Sequence, residues 1–397
     1  MKNKTGSPVE GDDFFDRERE LASFQRNLEN EADLLLTAPR RVGKTSFVLR
    51  LCERWKGMPN RKAAFCNVEA CHDEFDFAES LIDALRKEHL QADWLPRIAD
   101  GFRKFREQFK GIKVGAGVNV EITGVPDLDH TTLSRLLESI LERVQKSGLQ
   151  LLIAVDELPE LLLSIAGLPQ GDERVRGFLH WLRSLRQSHS KNIRWIFLGS
   201  IGLDSFVEMR QFGDTINDLT VLPLGAFDDA SANAFLEKLG TDNGLPLSPA
   251  VRNAIIAALG WSLPYHLQLM FHAFVELQIQ PTGPDDVQSA IEHLLRPEHA
   301  SYFDTWRQRL RDQFGADQLS MALQLLKLLC QHPSGLSRHQ LLDALMATRP
   351  HGEAIDVDQQ LGALLLILQR DGYLIWEGDR YGFRSFLLRE YWRRRES

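Results

Sequence analysis

Apolar positions recur along this chain in short continuous blocks separated by stretches with helical spacing. Leu21, Phe24 and Leu28, with Gln25, fall on one face of a helix over residues 18–30, and Leu34, Leu35 and Leu36 follow as a short buried strand. Residues 38–46 then lead into a helix over 47–56. Four further apolar blocks, at 63–68, 151–155, 193–198 and 219–224, alternate with helical patterns. Runs of four to six apolar residues suit strands covered by helices on both faces, so the pattern predicts an α/β fold around a parallel sheet.

Between the second and third strands lies an insertion, helical over 75–109 and then alternating over 111–123. There Ile112, Val114, Ala116, Val118, Val120 and Ile122 are apolar while the intervening residues are Gly, Lys, Asn, Glu or Thr. Period two, with Gly115 and Gly117 near the middle, predicts a small one-faced hairpin apart from the main sheet. From residue 228 the pattern is helical to about 314, with breaks at 240–249, 261–264 and 281–284, which predicts a helical domain over 226–314. The stretch 315–397 reads as three helices, at 319–330, from the Ser337 cap to Met346, and at 357–370. Strands at 373–376 and 381–387 follow around Gly378-Asp379-Arg380. That order is a winged helix-turn-helix plan. Residues 1–13 have no periodicity and read as a disordered leader.

Composition narrows the function classes. The chain has 397 residues, 43% of them hydrophobic and 26% charged, which suits a globular protein of two to three domains. An apolar run such as 363–368 is far too short to span a bilayer, and the polar start has no apolar signal region, so a cytoplasmic protein is expected. The formal charge of -8 has the wrong sign for coating nucleic acid or anionic lipid through the overall field. Four cysteines without a CxxC pair fit a reducing compartment. Cys66, Cys71 and His72 lack the spacing of a zinc knuckle and an evident fourth ligand.

Candidate chemistry begins in the loop Ala38-Pro39-Arg40-Arg41-Val42-Gly43-Lys44-Thr45-Ser46. A lysine in a glycine-containing loop at a helix start binds phosphate, because backbone N–H groups and the helix dipole already point at the anion. Lys44 would reach the β and γ phosphates of ATP and Thr45 would place its hydroxyl on Mg²⁺. The phosphate-loop pattern is met except at its first position, where Ala38 stands for Gly. The third strand ends in Asp156-Glu157, which brings two carboxylates to the sheet edge where ligands bind. Asp156 would hold Mg²⁺ through water, and Glu157 would orient and deprotonate the attacking water. Solvated acids at a strand end are the alternative for this pair taken alone.

The segments Phe15-Asp-Arg-Glu-Arg-Glu-Leu21, Pro39-Arg-Arg-Val-Gly-Lys-Thr-Ser46, Ile153-Ala-Val-Asp-Glu157, Phe197-Leu-Gly-Ser200 and Gly260-Trp-Ser-Leu-Pro264 resemble the archaeal-type ATPases. These are a prokaryotic branch of the signal-transducing STAND class of AAA+ relatives. The resemblance runs from about residue 14 to the C-terminus and implies an ATPase domain over 14–225 that carries the insertion at about 74–125. It implies a sheet order of 5-1-4-3-2, with ATP or ADP and Mg²⁺ as ligands. It also implies that Ser200 is a sensor hydroxyl in reach of the γ-phosphate, that Arg17 and Glu18 form a lid over adenine, and that Pro264 contacts nucleotide. Where replication-initiator relatives have an arginine after that proline, this chain has Tyr265-His266. His266 is alternatively a core histidine. Ser200 is alternatively a plain strand-end residue. Arg210, on the helix between the fourth and fifth strands, stands where AAA+ relatives send an arginine finger to a neighbouring subunit, or else is a solvated charge.

The resemblance and the missing arginine favour a slow, switch-like ATPase whose nucleotide state controls its helical and winged-helix domains. The rival is an initiator-like regulator that uses the winged helix on DNA. Residues 318–397 have a net charge of only +1, and the third helix opens with Asp358 and is apolar over most of its surface. A protein partner or self-association is therefore expected before DNA.

Overall fold

The computed structural model describes residues 1–88, 130–199, 202–348 and 354–396. The hairpin expected over 111–123 and most of the inserted helical stretch lie outside these. The chain divides into two compact units, one of residues 18–37 and 48–222 and the other of 1–17, 38–47 and 223–397.

The first unit is built on five strands, β1 (Leu34–Thr37), β2 (Arg61–Asn67), β3 (Gln150–Asp156), β4 (Ile193–Phe197) and β5 (Thr220–Pro223). They form one parallel sheet in the order β2-β3-β4-β1-β5, the order the resemblance implied. The helices around it are α1 (Glu18–Glu29), α2 (Lys44–Lys56), α3 (Glu74–Lys87), α4 (His130–Lys146), α5 (Leu158–Ala166), α6 (Gly171–Ser188) and α7 (Leu203–Met209). Every residue of β3 from Leu151 to Asp156 is buried, as a central strand between two helical layers requires. Trp195 stacks on Phe197 at 5.7 Å between ring centroids. Two polar ties fix the layers: Arg186 of α6 grips Asp218 with bonds of 2.8 and 3.0 Å, and Arg174 of α6 binds Glu74 at the start of α3. At the amino edge of the sheet, Asp33 Oδ1 accepts the Trp195 N–H at 2.8 Å, joining β1 to β4.

The second unit is helical. It holds α8 (Asp229–Asp242), α9 (Pro249–Leu259), α10 (Pro264–Glu276), α11 (Pro284–Leu294) and α12 (Ser301–Gln313). Asp228 and Ser248 cap α8 and α9, and proline occupies the first turn of α9, α10 and α11, where its missing N–H costs nothing. Then come α13 (Ala316–Cys330), α14 (Arg338–Thr348), α15 (Ala354–Arg370), the antiparallel hairpin β6 (Leu374–Glu377) and β7 (Arg380–Phe383), and α16 (Phe386–Glu396). Ser337 and Gln340 cap α14 reciprocally, backbone to side chain in both directions. The apolar stripe of α15 is covered, with Leu364, Leu365, Ile367 and Leu368 all buried.

Two expectations change here. The last strand stops at Phe383 instead of reaching residue 387, because Ser385 Oγ accepts the Leu388 N–H and starts a helix whose Leu387, Leu388, Tyr391 and Trp392 are buried. Residues 1–13, read as a disordered leader, have fixed partners: the Val9 N–H donates to Ser46 Oγ at 2.8 Å and the Lys2 N–H to Asp13 Oδ1 at 2.7 Å.

Candidate nucleotide site

The loop that leaves β1 is shaped by two left-handed residues, Arg41 at φ 67° and Gly43 at φ 93°. Gly43 suits that conformation because an L side chain is strained there. The loop closes into α2, where the Phe47 N–H already bonds Gly43 O at 2.9 Å. Lys44 opens the helix, and its Nζ donates to the carbonyls of Ala38 and Pro39, both at 3.1 Å. The ammonium thus lies across the loop's own backbone, at a helix N-terminus whose first amides have no intrahelical acceptors. Val42 and Ser46 are buried and Thr45 is half-buried.

The two loop arginines have partners in the helical unit. Arg40 donates to Thr305 O at 3.3 Å, and the Arg41 guanidinium lies 4.4 Å from the Tyr265 ring centroid. One turn beyond Thr305, Arg309 is 2% exposed, and none of its three guanidinium nitrogens has a hydrogen-bond partner among the described residues. Sequence reasoning missed this residue, since an arginine on an amphipathic helix carries no signal of burial.

An open, largely apolar cleft in the same unit is lined by Phe15, Arg17, Gly43, Ser46, Phe227 and Pro264, among others. Arg17 donates to Gly225 O at 2.8 Å and covers the Phe227 ring at 4.3 Å, while Phe15 meets Phe227 and Phe235 edge-on. The structure therefore brings Arg17, the phosphate loop and Pro264 to one place from three distant stretches of chain. These residues fit a nucleotide: an aromatic and guanidinium surface for a base, beside a helix N-terminus and a lysine for phosphates. His266, behind Pro264, is 1% exposed, and burial, then the Arg41 charge, brings its pKa down to about 3. It is a neutral core histidine, and neither ring nitrogen has a hydrogen-bond partner among the described residues.

The acids stand in the sheet unit. Asp156 is the last residue of β3, 1% exposed, and its Oδ1 accepts the Glu157 N–H at 3.0 Å. Glu157 turns the chain out of the strand with φ 61° and precedes α5, which has Pro159 in its first turn. A Cβ placed on Gly199 would lie 2.4 Å from Pro159 Cδ and 3.5 Å from Glu157 Oε2. Glycine is required there, and the Glu157 carboxyl reaches the end of β4. Ser200, the next residue, lies outside the described residues. Arg210 stands just past the end of α7 rather than on a helix, bonded to Asp172 at 3.2 Å and packed on the Phe206 ring at 4.1 Å.

No family model matches the chain, and no curated protein does. Among solved structures, the Walker-type ATPase PABY2304 of Pyrococcus abyssi superposes with a TM-score of 0.61 at 17% identity, over 99% of this chain and 100% of that one. The ORC2 protein of Aeropyrum pernix, in ADPNP-ADP complexes, superposes with a TM-score of 0.51 at 13% identity, over 96% and 95%. The fold is that of a P-loop NTPase. At these identities the likeness concerns the fold and carries no residue role across. Among the described residues, no helix is long and apolar enough to cross a membrane.

Proposed function

We propose that this chain binds Mg²⁺ and ATP, hydrolyses ATP slowly, and acts as a nucleotide switch of the STAND and AAA+ type. The observation that supports this best is the cleft lined by Arg17, Gly43, Ser46 and Pro264 at the start of the helix that Lys44 opens. In this reading Ala38 to Ser46 wrap the phosphates, with Lys44 on the β and γ groups. Arg17 and Pro264 hold the base. Mg²⁺ neutralises the phosphates, held by Thr45 and, through water, by Asp156. Glu157 accepts the proton of the attacking water, Ser200 senses the γ-phosphate, and Arg210 completes a neighbouring subunit's site.

Residues 315–397 are read as a winged-helix domain that meets proteins rather than DNA. The arginines of α16 are committed to acids: Arg393 to Glu390 at 2.7 Å, Arg394 to Glu292 at 2.6 Å and Arg395 to Asp304 at 3.0 Å. Trp376 on the hairpin is 54% exposed, an apolar handle suited to a protein contact. Phosphate release from ATP, with and without Mg²⁺, tests the enzymatic part; no release above the Lys44→Ala background would refute it. Weak, sequence-independent DNA binding at physiological salt is expected, and a tight, competitor-resistant shift of a defined duplex would promote the initiator-like reading.

A further inference from the structure

The carboxyl end of α10 carries a side-chain cluster that the nucleotide reading does not use. His272 and Glu276 stand one turn apart on α10, His293 is near the end of α11, and His299 closes a short 3-10 turn, Pro297–His299. All three imidazoles converge on one carboxylate. His293 Nε2 lies 2.9 Å and His299 Nε2 4.0 Å from Glu276 Oε2, and His272 Nε2 lies 3.3 Å from Oε1. The His293 and His299 rings are 4.5 Å apart, and Tyr302 stacks on His299 at 5.5 Å. Their side chains are only 12% and 17% exposed.

Three imidazoles around one carboxylate do not satisfy one another. Each neutral ring keeps a bare lone pair, and two protonated rings at this separation repel. A divalent cation removes the conflict by accepting lone pairs from the rings and the carboxylate together. In a tetrahedral site with bonds of about 2.0–2.1 Å, donor atoms lie roughly 3.3 Å apart. The separations of 2.9 and 4.0 Å from Glu276 Oε2 to the His293 and His299 Nε2 atoms bracket that edge. The candidate ligand atoms of Glu276, His293 and His299 all lie within 4.8 Å of one another. Imidazole nitrogens with one carboxylate oxygen suit zinc, whereas Mg²⁺ and Ca²⁺ take oxygen donors.

We propose that Glu276, His293 and His299 bind a divalent cation of the zinc class, with a water in the fourth position. The ion ties the end of α10, the helix that begins at Pro264, to the connection between α11 and α12. Its role is structural, and it does not depend on the nucleotide reading.

Equilibrium dialysis of the untagged full chain, stripped with a chelator and exposed to Zn²⁺ alone, tests this. About one equivalent is expected to be retained, with affinity at least tenfold lower in Glu276→Gln and in a His293→Ala/His299→Ala double variant. His339→Ala, a solvent-exposed histidine paired with Asp343, is expected to leave binding unchanged. Titration of the unsubstituted chain with Co²⁺ needs no variant and is expected to give the intense visible bands of a four-coordinate site. Failure to retain Zn²⁺, equal retention by the double variant, or only the pale spectrum of six-coordinate Co²⁺ would overturn the proposal.

Discussion

Gly372 and Pro39 are in contact so close that a Cβ added to Gly372 would lie 2.7 Å from the Pro39 Cβ and 2.9 Å from the Trp261 ring. Gly372 follows α15 at φ +86°, so the turn before the hairpin touches the phosphate loop through the one residue type that fits. The next residue, Tyr373, is fully buried and donates from its hydroxyl to Trp306 O at 2.6 Å. These contacts give the C-terminal segment a direct hold on the loop whose conformation should follow the nucleotide.

Gly372→Ala is therefore expected to displace Pro39 and strain its own backbone, weakening ATP binding about tenfold, roughly 1.4 kcal/mol. Isothermal titration calorimetry measures it; affinity within twofold of the unsubstituted chain would mean that the contact does not bear on the loop. Truncation before residue 315 is a poorer test, because it would remove Tyr373 and Trp392 from the core of the same unit.

Glu157→Gln should keep nucleotide affinity and lower turnover on the order of 10²-fold or more, since an amide holds the water but takes no proton from it. Single-turnover phosphate release decides the point. Unchanged turnover would move the base elsewhere.

Arg210 is expected to act between subunits, in which case specific activity rises with protein concentration and Arg210→Ala flattens the rise. The Asp172 bond must then be exchanged on assembly. Activity per chain that stays constant across a dilution series would identify a monomeric switch.

Asp33 supplies a pH prediction independent of nucleotide. Burial raises its pKa to about 6, against the lowering effect of the Trp195 hydrogen bond. Its folded value lies above the unfolded one, so below about pH 4 both states are protonated and ionisation is no burden. The penalty grows between pH 4 and 6 and is complete above that. Asp33→Asn keeps an oxygen for the Trp195 N–H and is expected to stabilise the chain by about 2–3 kcal/mol at pH 7. The gain should vanish near pH 3.5; thermal melts that show the same difference at both values would contradict it.

Much of the fold was legible because its signals are local. Five apolar blocks gave five strands, and Gly43-Lys44 between a strand and a helix located the loop. The start of the C-terminal helix was hidden because 381–387 reads as one strand until Ser385 caps the helix. The partners of Arg40 and Arg41, at Thr305 and Tyr265, lie more than two hundred residues away, where spacing carries no information. The Glu276 cluster escaped for the same reason: its imidazoles come from two helices and a turn, and only packing brings them to one carboxylate.

Nucleotide binding at Lys44 underlies every role proposed for this site. Calorimetric titration of ATP and ADP with Mg²⁺ into the full chain is expected to show one site per chain. Lys44→Ala is expected to lose measurable binding while its circular dichroism stays that of the unsubstituted chain, because the substitution removes the side-chain cation directed at the phosphates. Equal affinity in the two proteins, or no binding by either, would contradict it.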